Sequence, residues 1–190
     1  PMAMWADRNN RRNLISFSVF LWSLMTALCA AATNFIQLLL LRIGVGVGEA
    51  GSNPPSHSMI ADLYPPERRS TAMAIFGTGI NWGILIGFLV GGWINEWYGW
   101  RVAFLVVGLP GVLLALIVQL TVKEPPRGYS EAIKTEVKPP SFWTVASFIW
   151  GSSVLRHIII AGALVSLAGY ASVIWVPVYL VRIHEMGTGE

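Results

Sequence analysis

The sequence predicts an all-α integral membrane protein that crosses the bilayer several times. Of its 190 residues, 54% are hydrophobic and 12% are charged. The hydrophobic residues form runs of about twenty, which is the length that a helix needs to span the hydrocarbon core of a membrane. The basic residues, which give a net charge of +3, lie between these runs. The basic residues therefore indicate how the protein is oriented in its membrane, which we expect to be the cell (inner) membrane. No nucleic-acid partner is expected.

Five membrane-spanning helices are predicted from the hydropathy pattern, over residues 13–32, 35–63, 70–94, 102–122 and 155–181. Short turns are expected at Thr33-Asn34 and over the aromatic-rich residues 95–101, because aromatic side chains favour the membrane–water interface. Residues 65–69 are predicted to form a charged loop. A short amphipathic helix at the interface is predicted over residues 141–151.

Basic residues alternate between the connections, which sets the orientation. They are concentrated before the first span, after the second and after the fourth: Arg8, Arg11, Arg12, Arg68, Arg69, Lys123, Arg127, Lys134 and Lys138. Connections rich in lysine and arginine stay in the cytoplasm. We therefore expect residues 1–122 to form part of an N-terminal bundle and residues 123–154 a central cytoplasmic linker. Residues 155–190 are then the first helix of a second bundle with its following loop.

The second predicted span carries ionisable residues at membrane depth. Arg42 and Glu49 are seven residues apart, so they fall within about 20° of each other on a helix and roughly 10 Å apart along it. Asn53 continues this polar stripe. A charged residue at the bilayer centre costs roughly 2.5–3.5 kcal/mol on insertion scales and normally faces a wet cavity or the protein interior. Pro54 and Pro55 cannot donate backbone hydrogen bonds, so the helix should kink or loosen beside Glu49. The alternative is a structural Arg–Glu pair that locks two helices together.

Four segments, in this order, resemble signature motifs of the major facilitator superfamily: Ala6-Asp7-Arg8-x-x-Arg11-Arg12, Arg42-x-x-x-Gly46 with Glu49 beyond it, Asp62 with Pro65-Pro66-Glu67-Arg68, and Gly83-x-x-x-Gly87 with Gly91-Gly92. The resemblance implies a partial bundle of that superfamily, covering helices three to seven of twelve. The stretches GEAGSNPPSHSMIADLYPPERR and GWRVAFLVVGLPG are most similar to its spinster-like branch.

This resemblance implies a secondary active transporter that is proton-coupled and works by alternating access. The implied substrate is a lysolipid, a sphingoid lipid or another amphiphilic organic anion, and the implied partners are protons and membrane lipids. Arg42 and Glu49 would couple protonation to substrate movement. The alternatives are an organic anion:cation symporter for small carboxylates such as hexuronates, and a membrane scaffold that transports nothing.

A group of charged residues is expected to gate the cytoplasmic side. Its members are Asp7, Arg8, Arg11, Arg12, Asp62 and Arg68. A carboxylate at a loop–helix junction can meet a helix N-terminus or a basic partner in one transport state and lose it in the other. The alternative is that these residues only determine topology by their positive charge.

Small residues recur every fourth position in the third span, at Gly79, Gly83, Gly87 and Gly91. This spacing predicts a groove where another helix packs closely. Asn81 in the same span could line a cavity or bond to a neighbouring helix. Tyr170 in the last span, one turn from Ser166, could line a substrate cavity or simply pack.

The sequence contains no evident nucleotide-binding loop, metal-ligand cluster or catalytic triad, so neither an enzyme nor a cofactor is expected. The stretch GVGVGEAG lacks the Lys-Ser/Thr ending of a phosphate-binding loop. The chain begins within a charged motif and ends in a loop, which leads us to expect a fragment of a longer membrane protein.

Overall fold

The structure, a computed structural model, describes residues 9–129 and 141–184. Throughout this part of the chain the regular structure is helical, and it falls into two units, residues 9–129 and 141–184, which are described separately. The first unit contains α1 (Arg11–Leu28), α2 (Phe35–Glu49), α3 (Asn53–Leu63), α4 (Pro66–Tyr98) and α5 (Trp100–Thr121), with a 3₁₀ turn, Cys29–Ala31, after α1. The second unit contains α6 (Phe142–Gly151) and α7 (Ser153–Ile183).

Five segments of the described chain are long and apolar enough to cross a membrane, and this confirms the predicted fold class. They are Arg11–Ala31, Phe35–Leu63, Pro66–Tyr98, Trp100–Thr121 and Ser153–Ile183. The second of these combines α2 and α3. Helix α6, with 10 residues, is too short to span the hydrocarbon core. The protein is therefore a multi-pass integral membrane protein.

Two predicted connections are helical instead, so these predictions were wrong. Residues 66–69 form the first turn of α4, because a proline at the start of a helix gives up no hydrogen bond and Glu67 is favoured near the positive end of the helix dipole. The predicted turn at residues 95–101 shrinks to Gly99 alone, which separates α4 from α5. Its φ of 80° lies in the left-handed region that glycine adopts without strain.

Helix α1 is the centre of the first unit, because it packs against both α2 and α5. Glycines allow these close contacts. A Cβ at Gly48 on α2 would lie 2.8 Å from the backbone nitrogen of Trp22 on α1. A Cβ at Gly108 on α5 would lie 2.6 Å from the backbone nitrogen of Ala27. The helices therefore approach one another almost backbone to backbone, which is how small residues allow transmembrane helices to pack.

The predicted packing glycines on α4 lie in different surroundings. Within the part of the chain that the structure describes, a Cβ at Gly79, Gly83, Gly87 or Gly91 would meet no atom within 4 Å. The groove that they form is open in the first unit. Their role in packing against another helix stays a prediction.

Candidate functional site

The second span is broken at the point where prolines were expected to disturb it. Helix α2 ends at Glu49, and α3 begins at Asn53. Pro54 and Pro55 occupy the first turn of α3, where a missing backbone donor does not interrupt the helix. In an unbroken helix these prolines would sit opposite the carbonyls of Ala50 and Gly51 and could not bond to them. The predicted loosening is confirmed, and it takes the form of a three-residue break.

The break gives Glu49 a particular position as the last residue of a helix inside the membrane. Its carbonyl oxygen accepts hydrogen bonds from the backbone nitrogen of Ser52, at 3.3 Å, and from the Ser52 hydroxyl, at 3.2 Å. The Glu49 side chain is exposed. Gly51, within the break, faces Ser18 of α1 so closely that a Cβ there would collide with the serine hydroxyl.

Arg42 lies on α2, two turns before Glu49, and its side chain is also exposed. Across residues 9–129 and 141–184, neither Arg42 nor Glu49 takes part in a salt bridge. Arg42 instead lines a cavity of about 320 Å³. The remaining lining is Thr26, Gly91, Asn95, Trp100, Ala103, Phe104 and Val107, which is mostly apolar. A single guanidinium beside an apolar wall is suited to a molecule that has an anionic group and a hydrophobic body.

Three further predicted site residues are not part of this cavity's lining. Asn53 is in the first turn of α3, directly after the break, and is exposed. Asn81 is exposed on α4. Tyr170 lies in the second unit, on α7, where its side chain is 72% exposed. Their part in a substrate path stays a prediction.

Arg11 forms the centre of a buried polar cluster at the end of the first unit where α1 begins, and it is only 2% exposed. Its guanidinium forms an ion pair with Asp62, at the end of α3, and donates to the Ser58 hydroxyl at 2.9 Å. Its Nε lies 3.3 Å from Glu124 Oε1, and its backbone nitrogen donates to the same oxygen at 3.1 Å. Its Nη2 donates to the Pro125 carbonyl at 2.9 Å. Each guanidinium nitrogen of this buried arginine therefore has at least one hydrogen-bond acceptor.

The cluster joins three separate parts of the chain. Arg11 begins α1, Asp62 lies near the end of α3, and Glu124 and Pro125 follow α5. Asp62 also accepts a hydrogen bond from the backbone nitrogen of Gly128, at 3.0 Å. Nearby, Arg127 donates to the carbonyl of Asn9, at 3.0 Å. The segment after α5 is therefore held against the start of α1 and the end of α3.

The structure includes two of the predicted gating residues, Arg11 and Asp62, in this cluster. Arg12 donates hydrogen bonds to the side-chain oxygen of its neighbour Asn13. Arg68 is exposed in the first turn of α4. Asp7 and Arg8 lie outside the described residues. The sequence reasoning missed Ser58, Glu124 and Pro125. Glu124 is an acidic residue three positions after the end of α5 and directly before two prolines, which is the signal that could have drawn attention to it.

The sequence was also compared with known proteins. The sequence model of the Major Facilitator Superfamily matches residues 1–189. The chain belongs to the major facilitator superfamily. It is similar to a crystal structure of a bacterial homolog to the human lysosomal transporter Spinster, in an inward-facing and unoccupied conformation, with a TM-score of 0.80 and 35% identity. That match covers all of this chain and 45% of the other. Membership of the spinster-like branch, expected from the sequence, is confirmed.

Three curated relatives within the superfamily carry different names. An MFS-type efflux pump of Mycolicibacterium smegmatis is 34% identical over the whole of this chain and 43% of its own length. A probable galactarate/D-glucarate transporter of Bacillus subtilis is 30% identical over the whole chain and 47% of its own length. A sphingosine-1-phosphate transporter of Danio rerio is 29% identical over 93% of this chain and 36% of its own length. The chain thus spans less than half the length of these relatives.

Proposed function

We propose that this protein, in its full-length form, is a secondary active transporter that couples proton movement to the movement of an amphiphilic organic anion. A lysolipid or a sphingoid lipid is the preferred substrate class. The observation that carries the proposal is the pair Arg42 and Glu49 on a membrane span that breaks immediately after Glu49. Ionisable residues are retained at membrane depth mainly where they serve transport of ions or substrates.

Glu49 is the proposed proton acceptor. It is the last residue of α2, where the helix dipole concentrates partial negative charge on the terminal carbonyls. Such an end favours a proton or another cation. In the described part of the chain the Glu49 carboxylate forms no salt bridge, and its side chain is exposed.

Arg42 is the proposed anchor for the anionic group of the substrate. The cavity of about 320 Å³ that it lines has Trp100 and Phe104 among its walls. A phosphate or carboxylate bound by the guanidinium would leave its hydrocarbon tail against these aromatic rings. Asn53, Asn81 and Tyr170 are proposed as polar contacts along the substrate path. A substrate anion that binds Arg42 would change the electrostatic field at Glu49 and thereby link the two movements.

The cluster around Arg11 is the proposed cytoplasmic gate. Alternating access requires helix ends that are held together in one state and released in another. Asp62 and Glu124 supply two carboxylates for one buried arginine, so the pairing can be exchanged as helices shift. Asp7, Arg8, Arg12 and Arg68 are proposed to join this network in other states of the cycle.

A small carboxylate, such as a hexuronate or a related sugar acid, is the second candidate substrate. The observation that favours it is the similarity to a probable galactarate/D-glucarate transporter, which is 30% identical over the whole chain. In that case Arg42 would bind a carboxylate directly, and the apolar wall of its cavity would have no hydrocarbon tail to receive.

The test is transport by the full-length protein reconstituted in liposomes with an imposed pH gradient. Labelled lysolipid and labelled D-glucarate are offered in parallel. Gradient-dependent movement of the lysolipid alone is the expected result, because the cavity at Arg42 is largely apolar. Movement of D-glucarate alone would replace the first substrate class by the second. Movement of neither, with or without the gradient, would overturn both substrate proposals and favour the scaffold alternative.

A further inference from the structure

A second cavity lies at the end of the first unit opposite the Arg11 cluster, where α2 and α5 begin. Its volume is about 240 Å³, and it is called the Arg101 cavity here. Its lining is Ala32, Thr33, Asn34, Phe35, Leu38, Trp100 and Arg101. Within the described part of the chain, Arg101 is the one charged residue of this lining, and no carboxylate shares the cavity with it. The cavity therefore presents a net positive charge.

The Arg101 guanidinium is held in place without being neutralised. Its central carbon lies 4.1 Å from the centre of the Trp100 ring, and its Nη2 donates to the Ala32 carbonyl at 3.1 Å. Among residues 9–129 and 141–184, Arg101 takes part in no salt bridge. A guanidinium carries five N–H donors, so most of them remain for an anion. Their planar arrangement suits two parallel hydrogen bonds to a phosphate or a carboxylate.

The rest of the lining defines what kind of anion fits. Phe35 and Trp100 are the first residues of α2 and α5, and the positive ends of both helix dipoles favour an anion there. The side walls, Phe35, Leu38 and the Trp100 ring, are apolar. The Arg101 cavity thus suits an anionic group attached to a hydrocarbon body, which is the chemistry proposed above for the cavity at Arg42.

The cavity at Arg42, called the Arg42 cavity here, is the immediate neighbour of the Arg101 cavity. Trp100 lines both of them. On α2, Leu38 lines the Arg101 cavity and Arg42 lines the next one, four residues or about 6 Å further along the helix. On α5, Phe104 continues the wall of the Arg42 cavity one turn beyond Trp100. The two cavities therefore follow each other along the same two helices, with the Trp100 ring between them.

We propose that the Arg101 cavity is an outer binding site for the anionic group of the amphiphile that the protein moves, and that this group passes Trp100 between Arg101 and Arg42. The proposal rests on the proposed function, since it takes the same class of substrate. The alternation of basic residues along the sequence assigns this end of the first unit to the outside. Arg101 is the binding residue, and Trp100 positions its guanidinium.

Protection of an introduced cysteine tests the proposal without requiring transport. Cys29 is the one cysteine of the chain. It, and any cysteine outside this chain, is replaced by alanine in the full-length protein, and T33C places a thiol in the Arg101 cavity. Y98C is the matched control, because Tyr98 is exposed at the same end of the unit and is not part of the lining. Modification by a polyethylene glycol maleimide is timed in phosphatidylcholine nanodiscs.

Three probes separate the parts of the ligand. Lysophosphatidic acid carries a phosphate and an acyl chain, the monoacylglycerol of the same chain lacks the phosphate, and inorganic phosphate lacks the chain. We expect lysophosphatidic acid to slow modification of T33C several-fold, and the other two probes at the same concentration to leave it unchanged. Modification of Y98C should not respond to any of them.

Variants then assign the protection to Arg101. R101Q should abolish it, and R101K, which keeps the charge without the planar fork, should retain part of it. R42Q should retain it, because Arg42 lies in the next cavity. Thermal unfolding shows whether R101Q is folded, since it also loses the bond to the Ala32 carbonyl. If R101Q does not fold, the comparison of lysophosphatidic acid with the monoacylglycerol and the result for R101K decide.

Several results would overturn the proposal. Equal protection by the monoacylglycerol would mean that no anion is recognised, and equal protection of Y98C would mean that lipid coats the surface. Protection by phosphatidylglycerol in the discs, without lysophosphatidic acid, would assign the cavity to a membrane phospholipid. Gradient-driven flux of lysolipid without protection of T33C would overturn this inference alone. Protection without flux would overturn the proposed function alone.

Discussion

Arg11 and Arg42 lie in the same unit and have opposite surroundings. Arg11 is 2% exposed and satisfied by two carboxylates, a hydroxyl and a carbonyl. Arg42 is exposed and, among the described residues, takes part in no salt bridge. A buried charge without partners would be strongly unfavourable, so the folded protein needs the partners that surround Arg11. The surroundings of Arg42 have no such structural explanation, and they leave its charge available to a ligand.

Charged sites of these two kinds can be separated by how substitution affects stability and transport. Substitution at a satisfied cluster should act first on stability, because it leaves buried groups unpaired. Substitution at an unpaired charge should act on transport and leave stability nearly unchanged. Substitutions at Arg11, Gly48 and Arg42 should have decreasing effects on the free energy of unfolding.

Replacing Arg11 should cause the largest loss of stability. In R11M the carboxylates of Asp62 and Glu124 lose their shared cation, and breaking a buried ion pair costs about 3–5 kcal/mol. Thermal unfolding of the detergent-solubilised full-length protein measures the change. R12M is the control, because Arg12 is bound to the adjacent Asn13 side chain. Equal unfolding temperatures for the two variants would show that the cluster contributes nothing to stability.

An alanine at Gly48 should have an intermediate effect. Its Cβ would lie 2.8 Å from the backbone of Trp22, so α1 and α2 would have to separate. Overpacking of this kind costs about 1–3 kcal/mol. G46A is the matched control on the same helix, because in the described part of the chain a Cβ there meets nothing within 4 Å. If G48A unfolds at the same temperature as G46A, the close approach of the two helices is wrong.

Replacing Arg42 should have the smallest effect on stability. An exposed residue without partners changes the free energy of unfolding by no more than about 0.5 kcal/mol when it is substituted. R42Q should therefore unfold like the unsubstituted protein, while its substrate affinity falls, as measured by the KM for transport. R42K, which keeps the charge, should retain part of the affinity. A large loss of stability in R42Q would identify Arg42 as structural and remove the contrast with Arg11.

Much of the fold could be predicted from the sequence because the membrane requires it. Apolar runs determine the spans, and the bounds 35–63 of the second span were predicted as observed. Pro54 and Pro55 predicted the disturbance of that span because proline removes a backbone donor wherever it occurs. Helix ends were predicted less well. Charged residues 67–69 were assigned to a loop, although a first helical turn accommodates them readily.

The site was only partly predictable, since it depends on contacts between distant residues. Arg11 and Asp62 could be singled out from their motifs, and Arg42 and Glu49 from their depth in the membrane. Glu124 could not, because it is 113 residues from Arg11 and only the fold brings them together. The glycines that pack closely, Gly48 and Gly108, also differ from the regularly spaced set on α4. Regular spacing indicates that a surface is smooth and does not identify what packs on it.

The central claim is that Glu49 carries the transported proton, and it can be measured directly. The full-length protein is reconstituted in liposomes that contain a pH-sensitive dye, and the substrate that moves in the transport test is added without an imposed pH gradient. We predict that substrate entry changes the internal pH, and that E49Q abolishes this change while substrate still exchanges across the membrane. The control E96Q alters an exposed carboxylate near the end of α4 and should behave like the unsubstituted protein. A pH change in E49Q equal to that in E96Q would contradict the account.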